Sequence, residues 1–163
     1  MMYDYLVHAR RDLWAALEIA PEEVLSKSIS NNERFKCVKD LVFHIADVED
    51  GWTLGTIQRL DMVQRQFPAL WSGGPSFAAF PLETLLAYWR AVETSTLEYL
   101  PTLTPEELNR TVEDSPDDHF GLEGLLWHVM LHEVRHTAQI CALLRTQGIK
   151  PPALDLLWYL PKR

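Results

Sequence analysis

The sequence predicts an all-α fold in which four amphipathic helices pack around one core as a four-helix bundle. Apolar residues recur at spacings of three and four in four long segments, and no segment shows the strict alternation that predicts a strand. Prolines or glycines lie near the ends of these segments. The chain has 163 residues, of which 47% are hydrophobic. That is enough for one core, so we expect a single domain over residues 1–163.

The first two helices are predicted over residues 3–19 and 35–66. Positions spaced by three or four define the stripe of the first helix: Leu6, Arg10, Leu13 and Leu17. Pro21 ends this helix. The second helix is followed by Pro68 and by the Gly73-Gly74-Pro75 cluster, which predict irregular chain. Residues 58–80 hold the longest irregular connection, which favours a crossover over a tight turn.

The third helix is predicted to start at Pro81, a residue suited to a first turn, and to run to Leu100. Residues 104–107 predict a short capped turn of helix, and residues 114–118 predict an acidic loop.

The fourth helix is predicted over residues 122–147, with Gly148 as its C-cap glycine. The tail, residues 151–163, is apolar, so we expect it to pack on the bundle or on a partner.

Composition excludes several function classes. The formal net charge is −8, which argues against nucleic-acid partners and against docking on anionic membranes. No apolar run approaches the roughly 20 residues that span a bilayer, and the N-terminus lacks the pattern of a signal peptide. We therefore expect a cytoplasmic protein with no membrane partner. Cys37 and Cys141 are expected to be two buried thiols rather than a disulfide.

Three histidines are spaced by four residues on the predicted fourth helix, which brings them to one side of it. His136 projects near the middle of the apolar stripe, and His132 lies nearer its edge. His128 lies roughly 40° further out towards the polar side. We therefore expect it to contact a metal ligand rather than the metal, to lie on a dimer face, or to lie at the surface. Two imidazoles four residues apart can bind one metal ion together, although such a pair also arises by chance.

The second helix offers a third imidazole. His44 lies at the border of an apolar stripe formed by Cys37, Leu41, Ile45, Val48 and Trp52. Side chains on facing helices are the usual source of a metal site in a bundle. Three protein ligands leave coordination positions open, as in catalytic sites. His8 and His119 are expected at the surface.

Other chemistries have less support. A ferritin-like di-iron site needs two copies of Glu-x-x-His, and only Glu133 with His136 fits that pattern. Glu49 lies in the matching helix without such a histidine. No residue can be assigned as catalytic base. Asp47 and Arg135 lie within one turn of a predicted ligand and are candidates for contacts that orient it.

Two stretches resemble the histidine motifs of the DinB/YfiT-like superfamily. Residues 41–49, with Trp52 after them, resemble the first motif. Residues 125–140 resemble the second, in which two histidines four apart are followed by a glutamine three residues later. The closing residues 152–160 also resemble the end of that family. The resemblance covers nearly the whole chain.

The resemblance implies a four-helix bundle with a crossover connection, commonly a homodimer. It implies a metal site made by His44, His132 and His136, holding a divalent ion that is typically nickel or zinc, with iron and manganese as alternatives. Many relatives have a second histidine, or His-Arg-Gly, around the last ligand. This chain has Arg135-His136-Thr137-Ala138 there, which keeps the ligand but changes the residues around it.

Two functions are compatible with these expectations. Relatives include metal-dependent transferases for low-molecular-weight thiols such as bacillithiol and mycothiol, isomerases that act with such a thiol, and candidate hydrolases. The first hypothesis is therefore a metal-dependent enzyme, a thiol S-transferase or a hydrolase, acting on an electrophilic small molecule. The alternative is a non-enzymatic, dimeric stress-response or binding module with a structural or vestigial metal site.

Overall fold

A computed structural model describes residues 2–29, 34–72 and 74–160 of the chain, with the side chains of residues 71 and 72 left out. This part is mostly helical, as predicted. Its α-helices and strands, in chain order, are α1 (Met2–Ile19), α2 (Glu22–Leu25), α3 (Val38–Asp50), α4 (Leu82–Tyr99), α5 (Pro105–Leu108), β1 (Thr111–Ser115), β2 (Asp118–Gly121) and α6 (Leu122–Thr146).

The four long helices α1, α3, α4 and α6 enclose the main core. Helices α1 and α3 each contact both α4 and α6. The edge-to-face pair Trp14 and Trp89, with ring centroids 5.4 Å apart, joins α1 to α4. Aliphatic side chains of α3, α4 and α6 complete this core, among them Leu41, Ile45, Leu85 and Ile140. Burial of these stripes, rather than helix propensity, accounts for most of the stability of such helices.

The prediction for the second helix is wrong at its C-terminal end. Helix α3 continues as a π-helix over Gly51–Gln58 and stops there, whereas the sequence predicted a helix to residue 66. Arg59 adopts a left-handed conformation with φ of 56°, and the N–H of Leu60 donates to the carbonyl of Leu54. No proline or glycine follows until Pro68, so the sequence contains no ordinary stop signal at this point.

The connection after Arg59 is held against α3 and α4 by a buried carboxylate. Asp50 accepts hydrogen bonds from the backbone N–H groups of Val63 and Gln64 and from the hydroxyl of Tyr88. Two 3₁₀ turns follow, at Val63–Gln66 and Pro68–Ser72. Gly73, which was part of the predicted stop signal, lies outside the described residues.

A β-hairpin replaces the predicted acidic loop, so the prediction of no strands is also wrong. Strands β1 and β2 pair antiparallel, with Val112 opposite Phe120. Only Val112 is buried; it packs with Ile57, Leu122 and Leu125 in a small second core. All four residues of β2 are exposed. Short strands with one buried side chain show no alternation, which is why the pattern did not predict them.

The remaining helix ends agree with the predictions. Pro81 precedes α4 as its N-cap residue. The side chain of Thr104 accepts a hydrogen bond from the N–H of Glu107 and caps α5. Gly148, just beyond α6, has a φ of 78°, a conformation that glycine adopts without steric cost. No helix in the described part of the chain is both long and apolar enough to cross a membrane.

The C-terminal tail packs on the helices only in part. The hydroxyl of Tyr5 donates to the carbonyl of Leu154, and the hydroxyl of Tyr159 donates to Asp12, both at 2.6 Å. Leu157 and Trp158 nevertheless remain 68% exposed. Residues 161–163 of the predicted tail lie outside the described residues.

The two cysteines are both free thiols. Cys37 is buried, as expected, whereas Cys141 is only half-buried.

Candidate metal centre

Helices α3 and α6 bring three of the six histidines together. His44 projects from α3, and His132 and His136 project from α6 one turn apart. One ring nitrogen from each lies within 4.8 Å of the others. The Nε2 atoms of His44 and His132 are 3.0 Å apart. Two nitrogens of a tetrahedral zinc ion, at bond lengths of about 2.0–2.1 Å, are about 3.3 Å apart. The donor set and its spacing therefore fit one divalent ion.

The three imidazoles have the protonation state that a metal requires. Burial lowers the pKa of His44 to about 4, with the Arg34 guanidinium as a further cause. Burial also lowers the pKa of His132 to about 3, followed by repulsion from the His136 and His44 rings. The pKa of His136 is lowered by burial as well. All three rings are neutral near pH 7, so each has a lone pair available for a metal.

Gln139 orients one of the rings. The Nδ1–H of His136 donates to Oε1 of Gln139 at 2.7 Å. Because Nδ1 carries the ring proton, Nε2 of His136 is unprotonated and faces away from Gln139. Such a bond to the second ring nitrogen is the usual support of a metal-ligating histidine. The glutamine three residues after His136 was part of the sequence motif, although its role was not predicted from the residues.

One aromatic and two cationic side chains lie near the three histidines. Phe35 is buried, and its ring centroid lies 4.9 Å from that of His44 and 5.4 Å from that of His136. The Nη2 of Arg34 is 3.4 Å from Nε2 of His44. Arg135 is exposed, and its charge lowers the pKa of both His132 and His136. Arg34 and Arg135 therefore place positive charge near the histidines.

The other three histidines lie outside the cluster. His128 is exposed and packs edge-to-face on Trp52, with centroids 5.8 Å apart. Its ring lies 6.0 Å from that of His132, farther than the three clustered rings lie from one another. His8 stacks on Tyr159, and His119 contacts the carbonyl of Pro116; both are exposed, as expected.

Asp47 does not orient a predicted ligand through any contact that the structure describes. Its pKa is raised by burial and by the nearby carboxylate of Asp50.

The carboxylates considered for a di-iron site bind an arginine instead. Arg10 of α1 donates to Glu49 of α3 and to Glu133 of α6. Neither glutamate belongs to the cluster of possible metal ligands among the described residues. The sequence did contain a signal for this pairing, since Arg10 is a charged residue within the apolar stripe of the first helix.

Two grooves lie away from the histidines. One of about 800 Å³ runs between α1, α6 and the tail, and its lining includes Arg10, Glu133 and Cys141. The other, of about 640 Å³, is mostly apolar, and its lining includes Leu100 and Trp127. None of the three clustered histidines lines either groove.

The lowered pKa values of the clustered histidines predict how stability depends on pH. In the unfolded chain these rings titrate near 6.5, whereas His44 and His132 resist protonation in the folded protein until about pH 4 and 3. These rings therefore bind more protons in the unfolded state below about pH 6.5, and their contribution to the stability of metal-free protein is lost as the pH falls from there towards 4.

Urea unfolding with a chelator present, at a series of pH values, measures this loss. His132→Gln, which removes one titrating ring, is the control and should lose less stability over the same interval. Equal losses in wild type and His132→Gln would contradict the prediction.

Comparison with known proteins supports one family. The sequence model described as "DinB family" matches residues 1–163, the whole chain. No curated protein matches the chain. The two histidine motifs that resembled this superfamily are the segments that the fold brings together around His44, His132 and His136. Because the match extends from the first residue to the last, the chain belongs to the DinB family.

Proposed function

We propose that the protein is a metal-dependent enzyme. It binds one divalent metal ion through His44, His132 and His136. The observation that supports this most strongly is the convergence of three neutral imidazoles from two helices. Imidazole ligands suit nickel, zinc and iron, and manganese is kept as a further alternative. Three protein ligands leave positions open for a small molecule, as in catalytic zinc sites.

The proposed reaction is transfer of a low-molecular-weight thiol to an electrophilic small molecule, or hydrolysis. A bound ion lowers the pKa of a thiol or of water and so supplies a nucleophile near neutral pH. Gln139 holds the ring of His136 in the required tautomer. The Phe35 ring packs against the rings of His44 and His136. The positive charge of Arg34 and Arg135 near the histidines favours binding of an anionic thiol. We assign no catalytic base.

The architecture that accompanies this proposal is a four-helix bundle of α1, α3, α4 and α6, with a crossover between α3 and α4. Homodimerisation is part of the same proposal. It is supported by exposed apolar side chains on α6 and the tail, namely Trp127, Leu131, Leu156, Leu157, Trp158 and Leu160. Large exposed apolar patches are typical of interaction surfaces.

That apolar surface also supports the second candidate function, a non-enzymatic, dimeric binding or stress-response module. In this case the ion would be structural, or the histidines would no longer bind one. In neither case would the open coordination positions of an ion take part in binding the partner.

Two measurements on tag-free protein test the proposal. Elemental analysis is expected to find about one divalent ion per chain, as the three-histidine site implies. The metal-loaded protein is then expected to bind a thiol from a panel of low-molecular-weight thiols and to transfer it to an electrophile. A metal-free protein would contradict the metal site. A metal-loaded protein that neither binds a thiol nor hydrolyses a substrate would exclude the enzyme and favour the binding module.

A further inference from the structure

Helix α1 carries a buried cation at the centre of the bundle. Arg10 is only 1% exposed, and its guanidinium contacts side chains from α3, α4 and α6. We call the set of Tyr3, Arg10, Glu49, Glu93 and Glu133 the Arg10 cluster. All five residues are buried. Such a concentration of charge is costly to bury, so its geometry must be well satisfied to persist.

The hydrogen bonds of the Arg10 cluster connect the two helices that carry the histidines. Nε and Nη2 of Arg10 donate to the two carboxylate oxygens of Glu133, a bidentate contact. The same Nη2 donates to Oε2 of Glu49 at 2.6 Å. One nitrogen therefore bonds α3 and α6 at once. Tyr3 adds a second link, because its hydroxyl accepts from Nη1 of Arg10 and donates to Glu49.

The linked glutamates are close to the histidines along their helices but point elsewhere. Glu133 follows His132 directly, and Glu49 lies five residues after His44. At 100° and 1.5 Å per residue, Glu133 is rotated about 100° from His132, and Glu49 about 140° from His44. The glutamates therefore act on the histidines through the helix backbones. What they determine is the distance and rotation of α3 relative to α6.

We infer that Arg10 is a positioning residue of the metal centre, because its hydrogen bonds to Glu49 and Glu133 set how His44 approaches His132 and His136. Without the guanidinium, the buried carboxylates of Glu49 and Glu133 lose their shared hydrogen-bond donor and either repel each other or take up protons. In both cases the bonds that fix α3 relative to α6 are lost. This inference rests on the proposed metal site and adds to it a part of the molecule that touches no ligand.

Arg11 and Leu17, also on α1, provide controls. Arg11 pairs with Glu93 of α4 and has no contact with Glu49 or Glu133 among the described ion pairs, and its side chain is half exposed. Leu17 is fully buried in the main core with Ile140 and Leu144. Arg11→Met thus removes a charge beside the Arg10 cluster, and Leu17→Ala destabilises the bundle without changing that cluster.

The experiment compares Co²⁺ binding by wild type, Arg10→Met, Arg11→Met and Leu17→Ala, each confirmed as folded by circular dichroism. Affinity is measured by competition with a chromophoric chelator, and ligand geometry by the visible absorption spectrum of bound Co²⁺. We expect Arg10→Met to bind about tenfold or more weakly, as for other residues that support ligands, with an altered spectrum. Arg11→Met and Leu17→Ala should keep the wild-type affinity and spectrum.

Because Arg10→Met leaves buried charges, Glu49→Gln serves as a milder variant that keeps the side-chain volume and an oxygen for Tyr3. Glu49→Gln should also weaken Co²⁺ binding and alter the spectrum, but both changes should be smaller than in Arg10→Met. Wild-type behaviour in folded Arg10→Met, or in Glu49→Gln if Arg10→Met does not fold, overturns the inference. So does an equal change in Leu17→Ala. If wild type itself binds no Co²⁺, the proposed metal site fails and this inference fails with it.

Discussion

Replacement of His132 by alanine is expected to abolish metal binding, lowering the affinity by more than about 100-fold, since loss of a mere supporting residue already costs 10–100-fold. His132 is central to the cluster: its Nε2 lies 3.0 Å from that of His44, and its ring is 4.3 Å from that of His136. Only two imidazoles would remain to coordinate an ion, which is one protein ligand fewer than in wild type. Elemental analysis of tag-free protein and calorimetric titration with Zn²⁺ measure the loss.

His128→Ala is the matched control for this prediction. It removes an imidazole from the same helix one turn earlier, but His128 is exposed and packs on Trp52 outside the cluster. We expect its metal content to equal that of wild type. If His128→Ala lost the ion, or His132→Ala kept it, the assignment of ligands on α6 would be wrong.

Replacement of Asp50 by alanine is expected to reduce the free energy of unfolding by about 3 kcal/mol, because buried donors that lose their acceptor cost about 1–3 kcal/mol each. Asp50 is 0% exposed and accepts three hydrogen bonds of 2.9–3.0 Å, from Val63, Gln64 and Tyr88. The first two hold the connection after the π-helix, and the third comes from α4. Its removal therefore loosens that connection and leaves the Tyr88 hydroxyl buried without this acceptor.

Urea unfolding at neutral pH measures this effect, with Asp61→Ala as the control. Asp61 lies in the same connection but is exposed, and among the described ion pairs it contacts the exposed Arg65. Pairs of this kind contribute about 0–1 kcal/mol. Tyr88→Phe, which removes one of the three donors, should fall between Asp61→Ala and Asp50→Ala. A loss for Asp50→Ala no larger than that for Asp61→Ala would show that the connection is stable without its buried carboxylate.

Local signals predicted the long helices well. The spacing of apolar residues located α1, α4 and α6 to within about two residues, because each buries a continuous stripe and has a proline or glycine near an end. The position of each histidine relative to the apolar stripe favoured His132 and His136 over His128. Of these three, the structure places His132 and His136 in one cluster with His44. A buried helix face can be recognised in a single sequence because its apolar residues recur every three or four positions.

Features that depend on contacts between distant segments were not predictable in this way. The π-helix ends at Gln58, and the chain beyond it is held by Asp50, which accepts from the backbone of Val63 and Gln64. The hairpin packs Val112 into a small core beside Ile57. Neither contact leaves a periodic pattern in its own segment, so the predictions of a longer helix and of an acidic loop were wrong.

The sequence by itself determined the helical class, the histidine-bearing faces of two helices and the family to which the chain belongs. Each of these depends on residue type and spacing within one segment. Only the tertiary structure decided that Glu49 and Glu133 bind Arg10, and that His44 meets His132 with their Nε2 atoms 3.0 Å apart. The physical reason is that distances between helices are set by side chains far apart in the chain, here by one buried guanidinium among three carboxylates.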